Sequence, residues 1–251
     1  MSARLIPLLL LNEDGLCVST GFKQFSYVGD PINTVKLFND LEVDELMLLN
    51  LAAARGATIN WDMLQEIASE AFIPLAYGGG IKTLDDANRC FRLGFEKVVL
   101  NSLLFKDPEL VKTLVNRYGS QAIVASLDYK KPIFGEEQVY LLGGKDKAGM
   151  SISNALQHVV SLGVGEVILQ SIDRDGGMSG YDLKLIKELA NTIDTPLVAA
   201  GGASSLEDMK LALRNGASAV AAGAFFVYQG PRRGVLVNYP TRSEVKKLLE
   251  S

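Results

Sequence analysis

The chain has 251 residues, 48% of them hydrophobic and 22% charged, with a net charge of −4. That length can bury a substantial core, and an acidic balance argues against a nucleic-acid platform, which needs a basic face. Two cysteines, Cys17 and Cys90, fit a reducing compartment as plain filling rather than a disulfide or metal site.

From the N-terminus, Leu5–Leu11 is the first of eight short apolar runs. It is too short for a membrane span, lacks a credible signal-cleavage site and is followed at once by acids, so a soluble cytoplasmic protein with no membrane partner is expected. The other runs are Glu45–Asn50, Ile73–Tyr77, Lys97–Asn101, Ala122–Asp128, Glu166–Ser171, Pro196–Ala200 and Ser218–Ala222. They are rich in Val, Ile, Leu and Ala and lack clean alternation, the pattern of parallel strands covered on both faces. Amphipathic stretches lie between them, among them TLDDANRCFRLG, DPELVKTLVNRYG, DLKLIKELANT and SLEDMKLALRNG. Several open on Ser, Thr or Asp and close on Gly, which are helix start and stop signals. Eight βα units in this length predict a (β/α)8 TIM barrel, with a doubly wound open sheet as the alternative. No linker is evident, so one domain over residues 1–251 is expected. The stretch Tyr129–Gly149 is long for a βα loop and predicts a hairpin over the barrel mouth.

An internal repeat supports closure. Pro74–Ser102 aligns without gaps on Pro196–Ala224, so that Gly79, Gly80, Asp86, Gly94 and Val98 recur as Gly201, Gly202, Asp208, Gly216 and Val220. Two four-unit half-barrels are expected, neither able to bury its strands alone.

The repeated glycines are candidates for chemistry. Each pair follows a strand and precedes a helix, and each is matched one unit later by a strand end, Asn101-Ser102 or Gly223-Ala224. Glycine lets the backbone approach a phosphate closely, although tight turns alone also explain it. Two such sites on opposite sides of one mouth imply a long substrate with a phosphate at each end. In SIDRDGGMSGYD, Asp173, Arg174 and Asp175 precede Gly176 and Gly177, whose N–H groups could meet substrate; the charge pattern slightly favours a solvated turn. Asp128 ends the fifth run, at the rim where catalytic groups of such barrels collect, and can act as general acid or base if its pKa is raised. At the other end, Arg4, Glu45, Lys97 and Glu166 each start a run. Their side chains could pair inward on the barrel floor or face water. The single histidine, His158, lies in a helical stretch and is expected at the surface. No His/Cys cluster or nucleophile elbow is present, so no metal and no cofactor is expected.

These residues carry a resemblance. In GDPINTVKLFND, VDELMLLN, IPLAYGGGIKTLDDA, KVVLNS, GSQAIVASLD, VGEVILQSIDRDG, SGYDL and PLVAAGGASSLEDM, the chain is similar over nearly its whole length to the cyclase subunit family of imidazole glycerol phosphate synthase, HisF. The resemblance implies an enzyme of lyase type acting on a bis-phosphorylated aminoimidazole ribonucleotide intermediate. It implies a glutaminase partner, HisH, docked on the N-terminal barrel face, and ammonia passing through the barrel to the mouth. Arg4, Glu45, Lys97 and Glu166 match the family's charged channel entrance. Gly80, Asn101 and Ser102 match one phosphate loop, and Gly202, Gly223 and Ala224 the other, with Gly176 beside them.

Of the family's two aspartates, one matches Asp128. The other falls on Leu10, which can move no proton; Asn12, Glu13 or Asp14 would serve only in a shifted strand. The family's loop lysine is also absent, with Lys23 the nearest candidate. These departures resemble a HisF paralogue of surface-polysaccharide synthesis, in which an ammonia-supplying pair converts an acetamido to an acetamidino sugar. The related isomerase HisA shares the repeat but also wants the strand-1 acid. A non-catalytic partner that activates a glutaminase and conducts ammonia onward is the remaining alternative.

Overall fold

The computed structural model describes residues 4–13, 15–230 and 232–250. The strands of its main sheet are β1 (Arg4–Asn12), β2 (Gly15–Thr20), β3 (Gln24–Gly29), β4 (Leu46–Asn50), β5 (Leu75–Gly78), β6 (Lys97–Leu100), β7 (Ile123–Lys130), β8 (Gln138–Leu141), β9 (Asp146–Ser151), β10 (Glu166–Ser171), β11 (Leu197–Ala200) and β12 (Ala219–Ala222). The helices are α1 (Pro31–Asp40), α2 (Leu51–Ala54), α3 (Trp61–Glu70), α4 (Leu84–Leu93), α5 (Leu103–Lys106), α6 (Pro108–Tyr118), α7 (Ile152–Ser161), α8 (Leu183–Ala190), α9 (Leu206–Arg214), α10 (Ala224–Val227) and α11 (Arg242–Glu250).

Eight strands pair in parallel in the order β1-β4-β5-β6-β7-β10-β11-β12, and β12 returns to β1, so the sheet closes as a (β/α)8 barrel. Closure excludes the open doubly wound sheet. All eight predicted runs are the barrel strands, within one or two residues at their ends. Both faces of each strand are apolar because each meets a different core. Leu5, Leu9 and Leu11 of β1 pack outward against the helices. Ile6, Leu8 and Leu10 join Met47, Val99, Val124, Ile168 and Val198 in the lumen. Period-two geometry then decides which polar side chains face inward.

The helices start where the sequence provides acceptors for their unpaired N–H groups. Thr83 Oγ1 accepts from Asp86 N at 3.1 Å while Asp86 Oδ2 accepts from Thr83 N at 2.9 Å, a reciprocal cap on α4. Gly94 then ends α4 in the left-handed conformation, φ 105°.

Two antiparallel hairpins rise from the mouth. β8 and β9 form the one expected between Tyr129 and Gly149, extending β7 through Asp128↔Tyr140. The other, β2–β3, extends β1 through Leu10↔Cys17 and Asn12↔Gly15. This second hairpin is not among the expected elements. Cys17 and Cys90 are both free and buried. His158 departs from its expected surface position: it is half-buried, its Nε2 lies 2.9 Å from Leu104 O, and its ring stacks on Phe105.

Thr83→Ala removes the acceptor of the α4 cap without touching the core. Chemical denaturation is expected to show a loss of about 1 kcal/mol, with the m-value unchanged.

Candidate functional site

Polar side chains gather at both ends of the barrel. On the floor, Arg4 donates to both Glu45 and Glu166, and Lys97 Nζ lies 2.8 Å from Glu45 Oε2 and 3.3 Å from Glu166 Oε2. The four side chains therefore pair with one another, and the outward-facing alternative falls. The acids are nearly buried, at 3% and 5% exposure. Burying two carboxylates is tolerable only because two cations share them. Burial depresses the Arg4 guanidinium, but the two glutamates outweigh it and hold its pKa above the usual value.

At the opposite end, Asp128 comes up the inner face of β7, two residues beyond Ser126. Ser126 Oγ donates to Asp128 Oδ1 at 2.7 Å. Burial drives its pKa up to about 7, a shift opposed by the Ser126 bond and assisted by Asp175. A carboxyl poised there can give or take a proton near neutrality.

Gly80, Asn101, Ser102 and Asp128 line one cavity of about 320 Å3, together with Phe22, Lys82 and Lys106. Gly80 adopts φ 80°, and a Cβ there would lie 2.8 Å from Ala53 Cβ and 2.9 Å from Ile59 Cγ1, so this bare backbone turn requires glycine. The Asn101 amide donates to Ser126 O at 3.0 Å and Tyr140 O at 3.2 Å, and Ser102 Oγ accepts from Leu142 N at 3.2 Å. These bonds commit both side chains to holding the loop.

Gly176, Gly202, Gly223 and Ala224 line a separate space of only about 20 Å3, with Leu8, Leu10, Cys17, Ser19 and Asp175. The expectation of a solvated turn fails for Asp175. Its carboxylate accepts from Ser19 Oγ and from Gln170 Nε2, the latter at 3.2 Å. Burial pushes its pKa up to about 6 against the pull of those two bonds and one from the Phe22 backbone. Only Asp173 is solvated, its Oδ2 accepting from Lys131 N at 2.8 Å.

Leu10 is 4% exposed and points into the lumen. Its register, Leu10↔Leu49 on one side and Leu10↔Cys17 on the other, rules out a shifted strand. Asn12 and Glu13 line a different cavity, with Phe25 and Tyr27, and Asp14 lies outside the described residues. Lys23 is exposed at the β2–β3 turn and does not line the Asp128 cavity. Among the described residues, no group of three or more His, Cys, Asp or Glu could hold a metal ion, and no helix is long and apolar enough to cross a membrane.

Sequence reasoning missed Arg55, whose Nη2 donates to Phe22 O at 2.8 Å and to Gly143 O at 3.0 Å, tying the two mouth hairpins together. The β2–β3 hairpin had a signal: Leu16, Val18, Phe25 and Tyr27 alternate with smaller or polar residues around Gly21.

A closed βα barrel with its polar groups at the two ends is an architecture shared by many enzymes, and comparison with known proteins narrows it. A family model described as histidine biosynthesis protein matches residues 4–231. A Vibrio vulnificus (strain YJ016) protein named provisionally as imidazole glycerol phosphate synthase subunit hisF3 is 42% identical, covering 100% of this chain and 97% of its own. A Pseudomonas aeruginosa protein named provisionally as subunit hisF2 is also 42% identical, covering 98% and 97%. The imidazole glycerol phosphate synthase subunit HisF of Alkaliphilus metalliredigens is 34% identical, covering 91% of each chain. The chain belongs to the histidine biosynthesis protein family, and within it to the HisF subunits of imidazole glycerol phosphate synthase.

The raised Asp128 pKa has a consequence for stability. Folding raises it from 3.8 to about 7, so the folded state binds this proton more tightly. Its contribution is full below the unfolded value and is lost as pH rises through about 7. Asp128→Asn removes that late loss. Calorimetry at pH 8 is expected to show a melting temperature higher by roughly 3 °C or more, with the gain gone below about pH 4.

Proposed function

We propose that the chain is the synthase-type subunit of a glutamine-dependent enzyme. It receives ammonia at the floor from a HisH-type glutaminase and delivers it to a phosphorylated acceptor at the mouth. Ammonia is small and neutral, whereas ammonium crosses an apolar lumen only at a large desolvation cost. The lumen residues Ile6, Met47, Ala76, Val99, Val124 and Ile168 suit the neutral form. The ring of Arg4, Glu45, Lys97 and Glu166 stands where ammonia would enter. The names of the relatives describe subunits, which supports a partner. Asp128 acts as proton donor or acceptor in this reading, and the backbone of the Gly79-Gly80 loop and of Asn101-Ser102 receives phosphate.

One observation carries the narrower assignment. The position where the family places its strand-1 acid is Leu10, buried, inward and locked in register. We infer that this chain does not perform the two-aspartate cyclisation of the histidine pathway. Instead it serves as the paralogue that supplies ammonia for acetamidino-sugar formation in surface-polysaccharide synthesis. A conduit that only activates its glutaminase shares the Leu10 prediction, but a buried Asp128 opening on a ligand-sized cavity favours chemistry at the mouth.

The test is turnover of the histidine-pathway bis-phosphate intermediate by the purified chain with ammonium salt, alongside stimulation of the glutaminase encoded with it. Glutaminase stimulation without turnover is expected. Product release at about 1 s⁻¹, an ordinary enzymatic rate, would refute the paralogue assignment. Asp128→Asn is expected to abolish transfer to the true acceptor while glutaminase stimulation persists; loss of neither would favour the conduit.

A further inference from the structure

The two sides of the mouth are not equivalent. One holds a cavity of about 320 Å3, within the ordinary range for small-molecule sites. The other holds about 20 Å3, room for roughly one water and far too little for a phosphate group. The cause is the β2–β3 hairpin. Its Cys17, Val18 and Ser19 lie against Leu8, Leu10 and Gly176, and a Cβ on Gly176 would stand 1.9 Å from Ser19 O. Phe22, buried at the hairpin turn, forms part of the wall of the larger cavity.

Several bonds hold this hairpin down. Ser19 Oγ donates to the Asp175 carboxylate, and Gly21 N donates to Asp175 O at 3.1 Å. Arg55 holds Phe22 O from the other side at 2.8 Å, and Arg233 Nη1 donates to Gly176 O at 3.2 Å. Opening the smaller space would break the contacts to Asp175 and expose Phe22 to water.

Charge does not separate the two sides. Lys82 and Lys106 line the large cavity together with the carboxyls of Asp107 and Asp128, and Asp175 lines the small space while Arg233 Nη1 reaches Gly176 O at its edge. The difference lies in the volume and in the bonds that hold the hairpin across the small space.

We propose that the mouth takes a ligand bearing a single phosphate-class anion. The anion sits on the Gly79-Gly80 side between Lys82 and Lys106, the reacting part lies against Asp128, and the Gly202-Gly223 side is closed by the hairpin. This deepens the function proposed above, since it rests on the Gly79-Gly80 loop being a phosphate grip, and it departs from the two-phosphate substrate that the repeat implies.

The test uses the full chain and three probes by equilibrium binding: inorganic phosphate, ribose 5-phosphate, and the histidine-pathway bis-phosphate intermediate as a bisphosphate long enough to span the mouth. One saturable equivalent of phosphate is expected, weakened about tenfold or more by Lys82→Glu or Lys106→Glu, both at exposed positions. The bisphosphate is expected to bind within about threefold of the monophosphate, because a second grip would multiply affinity by a hundredfold or so. Two equivalents, or a bisphosphate preference of that larger size, would overturn the single-anion proposal and leave the grip standing. No saturable site, or a site indifferent to both charge reversals, would overturn the proposal and the grip together. Glutaminase stimulation measured on the same preparations then tells whether the broader function falls with them.

Discussion

The placement of every functional group depends on the register with which β1 closes the barrel between β12 and β4. Arg4↔Ala219 on one side and Leu8↔Met47 on the other fix β1 vertically. The alternation of side chains then sends Arg4, Ile6, Leu8 and Leu10 to the lumen together. A slip of one residue would turn all four outward and bring Leu5, Leu9 and Leu11 into the lumen. The same parity carries Glu166 and Gln170 inward on β10, and Lys97 inward on β6. The floor ring and the leucine at the mouth are thus one decision of the fold, made by a closed ladder that tolerates no local adjustment. Leu10 is therefore fixed in the lumen, and no other β1 side chain can take its place there.

That constraint changes the electrostatics of the mouth. Two carboxyls, Asp128 and Asp175, occur on adjacent strands or their loops, with Gln170 of β10 paired in register with Asp128. Both are desolvated and each meets neutral hydrogen-bond donors, Ser126 for one and Ser19 and Gln170 for the other. Desolvation prevails over these bonds, so both pKa values rise, to about 7 and about 6. The Asp175 carboxylate also raises Asp128, so the two do not ionise independently. Leu10 lines the same small space as Asp175 and offers it no polar partner. The mouth thereby holds carboxyl groups that change charge near neutrality without help from histidine.

The barrel and the floor ring could be read from residues alone because both rest on local patterns repeated many times. Eight apolar runs separated by capped helices leave few architectures, and four charges at run starts leave two readings, inward or outward. Period and position do not decide between those two; only three-dimensional closure does. The mouth was less accessible. Asp175 reads as a solvated turn residue because its burial comes from a hairpin more than a hundred residues away in sequence. Arg55 carries no local signal, since its partners Phe22 O and Gly143 O are backbone groups whose identity the side chains do not reveal. The hairpin gives only a weak signal because its alternation is short, about four residues on each side of the Gly21 turn.

The repeat in the sequence and the inequality of the mouth meet at the barrel rim. Repeated glycine turns place bare backbone at two opposite points of the rim. What fills each point is decided by loops that the repeat does not include. β2–β3 grows from the first strand only, and β8–β9 from the fifth. The first leans across the ring onto Gly176 and fills the space by the Gly202 turn, while the second stands beside Ser102 and helps wall the larger cavity. Similar backbone turns thus acquire unequal access, about 320 Å3 on one side and about 20 Å3 on the other. Similar turns can in this way present unequal surfaces, and β1, which carries Leu10 into the lumen, is also the strand whose hairpin fills the space by the Gly202 turn.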